Sequence, residues 1–185
     1  METRQAAHDT GKRRQRGLTL LELAVVVAII AIVAATAAPS FAALIEGRRL
    51  DSAATRLAAD VQFARSEAIA RNQPLRLSLL TGTGASCWIV HSGAAADCRC
   101  SDAAGAVCGA GARTVKGVVL ASNERVSVAG NVASIVFDPP HGTSTPTGTL
   151  RLVGARGSAV HHVVSVVGRV RSCSPDGAVP GYSPC

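Results

Sequence analysis

Residues 17–39 read GLTLLELAVVVAIIAIVAATAAP, an apolar stretch that ends in a proline. Between Leu18 and Ala38 it holds 21 residues with a single charge, that of Glu22. A helix of that length, rising about 1.5 Å per residue, extends roughly 30 Å, which matches the hydrocarbon thickness of a bilayer. The stretch therefore predicts a membrane-spanning helix near the N-terminus.

Basic side chains precede this stretch and predict its orientation. Lys12, Arg13, Arg14 and Arg16 all stand immediately before it. The positive-inside rule keeps that flank cytoplasmic and sends the following residues across the membrane. The chain carries a net charge of +7, of which +3 belongs to residues 1–17, so the remaining residues carry +4. That remainder is mildly basic and permits an anionic partner without requiring one.

Glu22 separates three interpretations of the apolar stretch. A secretory signal peptide could be cleaved at Ala35-Thr36-Ala37, but the apolar run is long for such a peptide and holds a carboxylate. A plain membrane anchor leaves Glu22 unexplained, because an unpaired acid in the bilayer costs on the order of 3 kcal/mol. The third interpretation supplies Glu22 with a positively charged partner.

The hexapeptide GLTLLE at residues 17–22 resembles the cleavage and assembly motif of type IV pilins and type II secretion pseudopilins. The resemblance implies that a prepilin peptidase cuts after Gly17 and that Leu18, the new N-terminal residue, is methylated. It further implies that Glu22 pairs with the N-terminal amine of a neighbouring pilin or pseudopilin, in or near the inner membrane. Leu18 departs from the family, where Phe or Met is more usual.

Beyond Pro39 the apolar residues recur at helical spacing as far as Arg71, before Asn72-Gln73-Pro74 ends the helix. Arg56 with Asp60 and Glu67 with Arg71 are expected as i,i+4 pairs on its polar face. Arg48 and Arg49 fit a solvated position or the level of the lipid headgroups.

Shorter periodicity follows Pro74 and predicts β-structure. Candidate strands cover residues 75–81, 87–92, 115–121, 132–137, 149–153 and 160–167, whereas residues 93–112 are predicted as a loop. The fold class expected is α+β, a pilin-like long N-terminal helix packed on an antiparallel β-sheet head.

The chain has six cysteines, an even number that predicts disulfides in an exported domain. Cys173 and Cys185 bracket a Pro/Gly-rich tail that a disulfide would pin. Cys98 and Cys100 are too close to favour each other, so each is expected to pair with Cys87 or Cys108, in an order that stays open. No metal site is predicted, because the two C-x-x-C knuckles of a zinc ribbon are missing.

Two further stretches, LAADVQFARSEA at residues 57–68 and GRVR at residues 168–171, resemble minor pilins called FimT and pseudopilins called GspH. In FimT-type proteins a G-R-x-R motif is associated with DNA binding. The resemblance implies DNA contact through Arg169 and Arg171, with Gly168 releasing the backbone and Val170 packing inward. Side chains two apart on an extended segment point the same way. Salt bridges on the head and docking against a neighbouring subunit are the alternatives.

No enzymatic role and no cofactor are predicted. The sequence has five histidines but no Ser/His/Asp arrangement, P-loop or paired carboxylates. His161 and His162 adjoin in a predicted strand, so they face opposite ways and do not easily share a metal.

The predicted organisation has three parts: a prepilin leader (1–17), a single-pass inner-membrane and assembly helix (18–39) and a periplasmic head (40–185). The expected function is that of a FimT-like minor pilin that primes or joins a pilus and binds DNA non-specifically during natural transformation. The alternatives are a GspH-like minor pseudopilin of a type II secretion system and a secreted, cleaved binding protein.

Overall fold

The computed structural model describes residues 19–82, 84–101, 105–109 and 111–185. Helix α1 (Leu20–Arg71) ends where the sequence predicts and contains Pro39. Thr19 immediately precedes the helix, and its Oγ1 accepts the backbone N–H of Glu22 at 3.2 Å, a side-chain cap of the first turn. By length and composition α1 is apolar enough to cross a membrane, and no residue of its most apolar window is buried.

The chain divides into two compact units, Met1–Phe41 and Ala42–Cys185. The described residues of the first unit belong to α1, apart from Thr19. The second unit contains the rest of α1 and every described strand. The functional boundaries predicted at residues 17 and 39 stay predictions, and the leader lies outside the described residues.

Two larger antiparallel sheets and one hairpin make up the β-structure of the second unit. The strands are β1 (Leu75–Thr81), β2 (Ala85–His91), β3 (Cys98–Ser101), β4 (Gly105–Cys108), β5 (Thr114–Ala121), β6 (Val126–Gly130), β7 (Ser134–Phe137), β8 (Ser144–Thr145), β9 (Gly148–Gly154), β10 (Ala159–Val164) and β11 (Val170–Cys173). The five-stranded sheet has the order β5-β2-β1-β7-β8, the four-stranded sheet has the order β11-β10-β9-β6, and β3 pairs with β4.

The core lies between the second part of α1 and the inner faces of the two larger sheets. Trp88 and Phe137 from one sheet and Leu150 from the other belong to the same buried cluster as the helix. The helix contributes a stripe of mostly small apolar residues: Leu50, Ala53, Ala54, Leu57, Val61, Ala64 and Ala68. A helix packed on antiparallel sheets confirms the α+β, pilin-like fold class.

The expectation of a loop over residues 93–112 is wrong. β3 and β4 form a hairpin that packs with the outer side of β2, in a second apolar cluster around Cys87, Ile89 and Cys98. Disulfides Cys87–Cys100 and Cys98–Cys108 hold it. The composition did not indicate these strands, because disulfides stabilise this hairpin in place of the large alternating side chains that usually mark a strand.

One of the two predicted helix pairs is placed differently from the expectation. Glu67 and Arg71 pair as predicted. Asp60 does not lie on the polar face, since it is fully buried and bonded to Lys116 and Trp88. The indole and ammonium groups come from strands distant in sequence, so helix spacing could not reveal them.

The six predicted strands all occur, with shifted ends in most cases. The prediction for residues 160–167 is wrong beyond Val164, because Ser165 to Gly168 form a turn, with the Gly168 N–H donating to the Ser165 carbonyl at 2.8 Å. After β11 the tail folds back through disulfide Cys173–Cys185. Its Tyr182 hydroxyl donates to Asp51 on α1 at 2.9 Å.

Candidate functional site

The GRVR segment lies at the turn between β10 and β11 and continues into β11, an edge strand. Arg169 and Arg171 are exposed, whereas Val170 packs against the core. Arg171 stands directly opposite Val163 of β10, which is itself 42% exposed. The segment thus has the orientation that its alternation predicts, and its binding role stays a prediction.

Gly168 occupies a position that only glycine fits. Its φ is +71°, and an added Cβ would lie 2.6 Å from Cδ of Arg65 and 2.9 Å from the carbonyl oxygen of Gly142. The Gln62 side chain donates to the Gly168 carbonyl at 3.2 Å, and Arg65 Nε donates to the Gly142 carbonyl at 2.8 Å. The two stretches that carry the family resemblance therefore meet each other.

Hydrogen bonds around Ser165 hold the turn from its other side. The Ser165 N–H donates to the Arg169 carbonyl at 3.0 Å, and the Arg169 N–H donates to the Ser165 hydroxyl at 3.2 Å. The Ser144 hydroxyl donates to the Ser165 carbonyl at 2.6 Å. The backbone that carries Arg169 is consequently fixed on both sides.

Arg151, Arg169 and Arg171 form one basic face, and the position of Arg151 on it could not be established from the sequence. Arg151 is exposed on β9 directly opposite His161, two residues from the Val163 that faces Arg171. Residues opposite each other in a ladder share a side, so Arg151 and Arg171 lie on the same face. Partial burial, and then the Arg151 charge, lower the pKa of His161, and Asp176 opposes this. In the described part of the chain, Arg151, Arg169 and Arg171 make no ion pair.

Two other basic residues of the head have acidic partners away from this face. Lys116 lies on β5 of the other sheet and binds Asp60. Arg156 pairs with Glu46 of α1 at 2.9 Å. The basic face accordingly comprises Arg151, Arg169 and Arg171.

Glu22 lies in the first turn of α1 with its side chain exposed. Among residues 19–82 and the other described ranges it forms no ion pair. Gly17 and Leu18 lie outside the described residues, so cleavage and methylation there stay predictions.

His91, Cys98 and Cys108 bring potential metal ligands together within 4.8 Å. The two sulfurs are joined in a disulfide. The ring nitrogens of His91 bond the Ser78 hydroxyl at 2.9 Å and the Ser92 carbonyl at 3.0 Å. Burial lowers the pKa of His91. With the disulfide intact this cluster offers no thiolate to a metal.

The fold and the N-terminus define the class of protein: a pilin-like subunit with an apolar N-terminal helix packed, in its second part, on antiparallel sheets. Residues 53–168 match the family model described as type II transport protein GspH, and residues 12–38 match the prokaryotic N-terminal methylation motif. The first match covers 116 of the 185 residues. The chain belongs to the GspH family.

A relative is named for secretion. The chain is 40% identical over 65 residues to type II secretion system protein H of Xanthomonas campestris pv. campestris. The aligned segment covers 35% of this chain and 38% of that relative, so the chain spans less than two fifths of its length. No solved structure matches the chain. The descriptions of the family and of this relative favour a pseudopilin, the alternative function expected from the sequence, over a minor pilin that takes up DNA.

Proposed function

We propose that the chain is a minor pseudopilin of a type II secretion system. Residues 18–39 anchor it in the inner membrane, and residues 40–185 form a periplasmic head. The carrying observation is the family match over residues 53–168, together with the methylation motif over residues 12–38. The resemblance at residues 17–22 supports removal of a leader by a prepilin peptidase.

Assembly depends on Glu22 in this proposal. A lone carboxylate inside a membrane span costs on the order of 3 kcal/mol unless a positive group lies beside it. Cleavage after Gly17 creates a positive amine on Leu18, which a neighbouring subunit can present at the same depth. Pairing of these two groups offsets the cost only when subunits meet, so it favours the filament over the isolated subunit.

The assembly test compares Glu22→Val and Glu22→Asp with the unaltered chain, co-expressed with a prepilin peptidase and partner pseudopilins. We expect Glu22→Val to abolish recovery in sheared filaments and Glu22→Asp to retain part of it. Mass spectrometry should give a mature chain beginning at Leu18 in every case. Filament incorporation of Glu22→Val at the unaltered level would contradict the proposal, and a chain beginning at Ala38 would support a secretory signal instead.

A second candidate function is non-specific DNA binding by a FimT-like minor pilin. It is favoured by the basic face, on which Arg169 and Arg171 stand on a fixed turn and strand beside Arg151. One guanidinium group can donate two parallel hydrogen bonds to the oxygens of a phosphate. Such binding is expected to be weak, tolerant of sequence and steeply dependent on salt.

The DNA test uses the full chain in a neutral detergent with duplex DNA over a range of salt concentrations. Arg169→Ala with Arg171→Ala should weaken binding and reduce the salt slope by roughly 2, or about 0.9 per lost phosphate contact. The matched control is Arg99→Ala with Arg113→Ala, two exposed arginines outside this face. Equal losses in both pairs, or no binding at low salt, would exclude this function, and an assembly defect alone would indicate subunit docking.

A further inference from the structure

A hollow of about 590 Å³ lies beside the first turns of the helix in the second unit. Leu44 and Ile45 line it and are 56% and 42% exposed. Buried Leu120 and Val126 contribute to its wall from the sheets. Exposed apolar side chains that adjoin a hollow leave room for an apolar occupant.

Three arginines border the same hollow, with a single acid, Glu124. They are Arg48, Arg49 and Arg56, all exposed. Arg49 donates to the Asn123 carbonyl at 3.4 Å, and in the described residues none of the three forms an ion pair. The charged groups of the hollow therefore sum to +2.

Glu46, an acid of the same helix turn, does not neutralise these arginines. Glu46 accepts a hydrogen bond from Arg125 on one carboxylate oxygen at 2.9 Å, and its other carboxylate oxygen forms an ion pair with Arg156 at 2.9 Å. Arg125 immediately precedes β6 and Arg156 lies in the turn between β9 and β10. Because these two residues pair with Glu46, Arg48 and Arg49 stay available to an external anion. The arginines and the apolar side chains together match an amphiphile with a negative head.

The position of the hollow in the chain sets its distance from the membrane. Leu44 follows Ala38, the end of the apolar stretch, by six residues, and Arg48 follows it by ten. As helix these separations are about 9 and 15 Å, and even a fully extended chain would reach only about 20 and 35 Å. With the span inserted, these residues stay near the lipid headgroups.

We propose that this hollow binds an anionic phospholipid at the membrane surface. Arg48 and Arg49, with Arg56 behind them, bind the headgroup phosphate, while Leu44 and Ile45 contact the upper part of an acyl chain. The proposal requires membrane anchoring but not assembly into any particular filament. In the unassembled subunit, the part of the head around this hollow contacts lipid.

The test is native mass spectrometry of the full chain in a neutral detergent, titrated with phosphatidylglycerol and phosphatidylcholine of identical acyl chains. We expect several-fold preference for phosphatidylglycerol. Arg48→Gln with Arg49→Gln should reduce phosphatidylglycerol binding roughly thirtyfold, since each basic residue near an anionic surface contributes about 1 kcal/mol and the variant removes two. Leu44→Ser with Ile45→Ser should reduce binding of both lipids.

The matched control is Arg169→Gln with Arg171→Gln, which removes the same charge from the exposed basic face and should leave lipid binding unchanged. Equal binding of the two lipids, or equal losses in both arginine pairs, would overturn the proposal. Soluble glycerol phosphate should not displace the lipid, and displacement would assign the arginines to a free-phosphate site instead. Because no filament machinery is present, failure here is distinct from failure of the Glu22 assembly test.

Discussion

At the scale of single residues, Asp60 organises the core of the head. The Trp88 indole N–H donates to one carboxylate oxygen at 2.7 Å, and Lys116 binds the other. Lys116 also lies 5.4 Å from the centre of the Phe63 ring. A buried charge with partners at both oxygens joins the helix to two strands of the five-stranded sheet.

We predict that Asp60→Ala lowers the free energy of unfolding by about 2 kcal/mol or more, because it leaves the buried indole N–H without an acceptor. Asp60→Asn should lose less, since its amide oxygen still accepts from Trp88. Urea unfolding followed by the fluorescence of Trp88, the one tryptophan of the sequence, measures this. A loss no larger than that of exposed Asp176→Ala would contradict the structural role.

His162 predicts a pH dependence of stability. It is 1% exposed and bonds the Ser172 hydroxyl at 2.8 Å. Burial lowers its pKa below the ordinary 6.5, although the backbone of Ala54 opposes this. The unfolded chain thus binds the proton more tightly, so the contribution of His162 is fully present above pH 6.5 and is lost as the pH falls below it.

The free energy of unfolding of the unaltered chain should therefore be lower at pH 5.5 than at pH 7.5. This loss should be smaller in His162→Gln. His91, also buried with a lowered pKa, contributes in the same direction and remains in that variant. Exposed His141→Gln is the control and should leave the loss unchanged. An identical loss in His162→Gln and the unaltered chain would show that His162 does not titrate with unfolding.

At the scale of elements, the β10–β11 turn depends on close approach to the helix. Gly168→Ala should lower stability by about 2 kcal/mol or more, because it combines left-handed backbone with contact against the Gly142 carbonyl and Arg65. Gly157→Ala is the matched control, with φ of +82° and nothing within 4 Å of the added carbon, and should cost only about 1 kcal/mol. If Gly168→Ala and Gly157→Ala lowered stability equally in thermal unfolding, the close packing around Gly168 would contribute nothing to the cost of the substitution.

The elements also show the limit of sequence reasoning. Apolar spacing and Pro74 were enough to place the end of the helix, and alternation was enough for strands such as β1. The hairpin of β3 and β4 was not predicted, because its cysteines and small residues have no alternating apolar pattern. At the candidate site, spacing predicted that Arg169 and Arg171 share a face. Arg151 needed the register of β9 against β10, which no local pattern contains.

At the scale of the whole molecule, the C-terminal tail packs back onto the core and the helix of the second unit. Val179 is buried in the main core, and Tyr182 bonds Asp51 of the helix. Cys173→Ser with Cys185→Ser should lower the free energy of unfolding by about 3 kcal/mol, by the entropy of a loop of this length. Tyr182→Phe should lose about 1 kcal/mol. An unchanged urea midpoint in the double serine variant would show that the packed tail needs no cross-link.

The hairpin of β3 and β4 has a consequence for the strand beneath it. All seven residues of β2 are buried, and the strand is paired with β1 on one edge and β5 on the other. Its amide protons should thus be the slowest in the head to exchange with deuterium, opening only in global unfolding. Reduction of the Cys87–Cys100 and Cys98–Cys108 disulfides should accelerate exchange in β2 more than in β9. Equal acceleration in the two strands would mean that the hairpin protects neither one in particular.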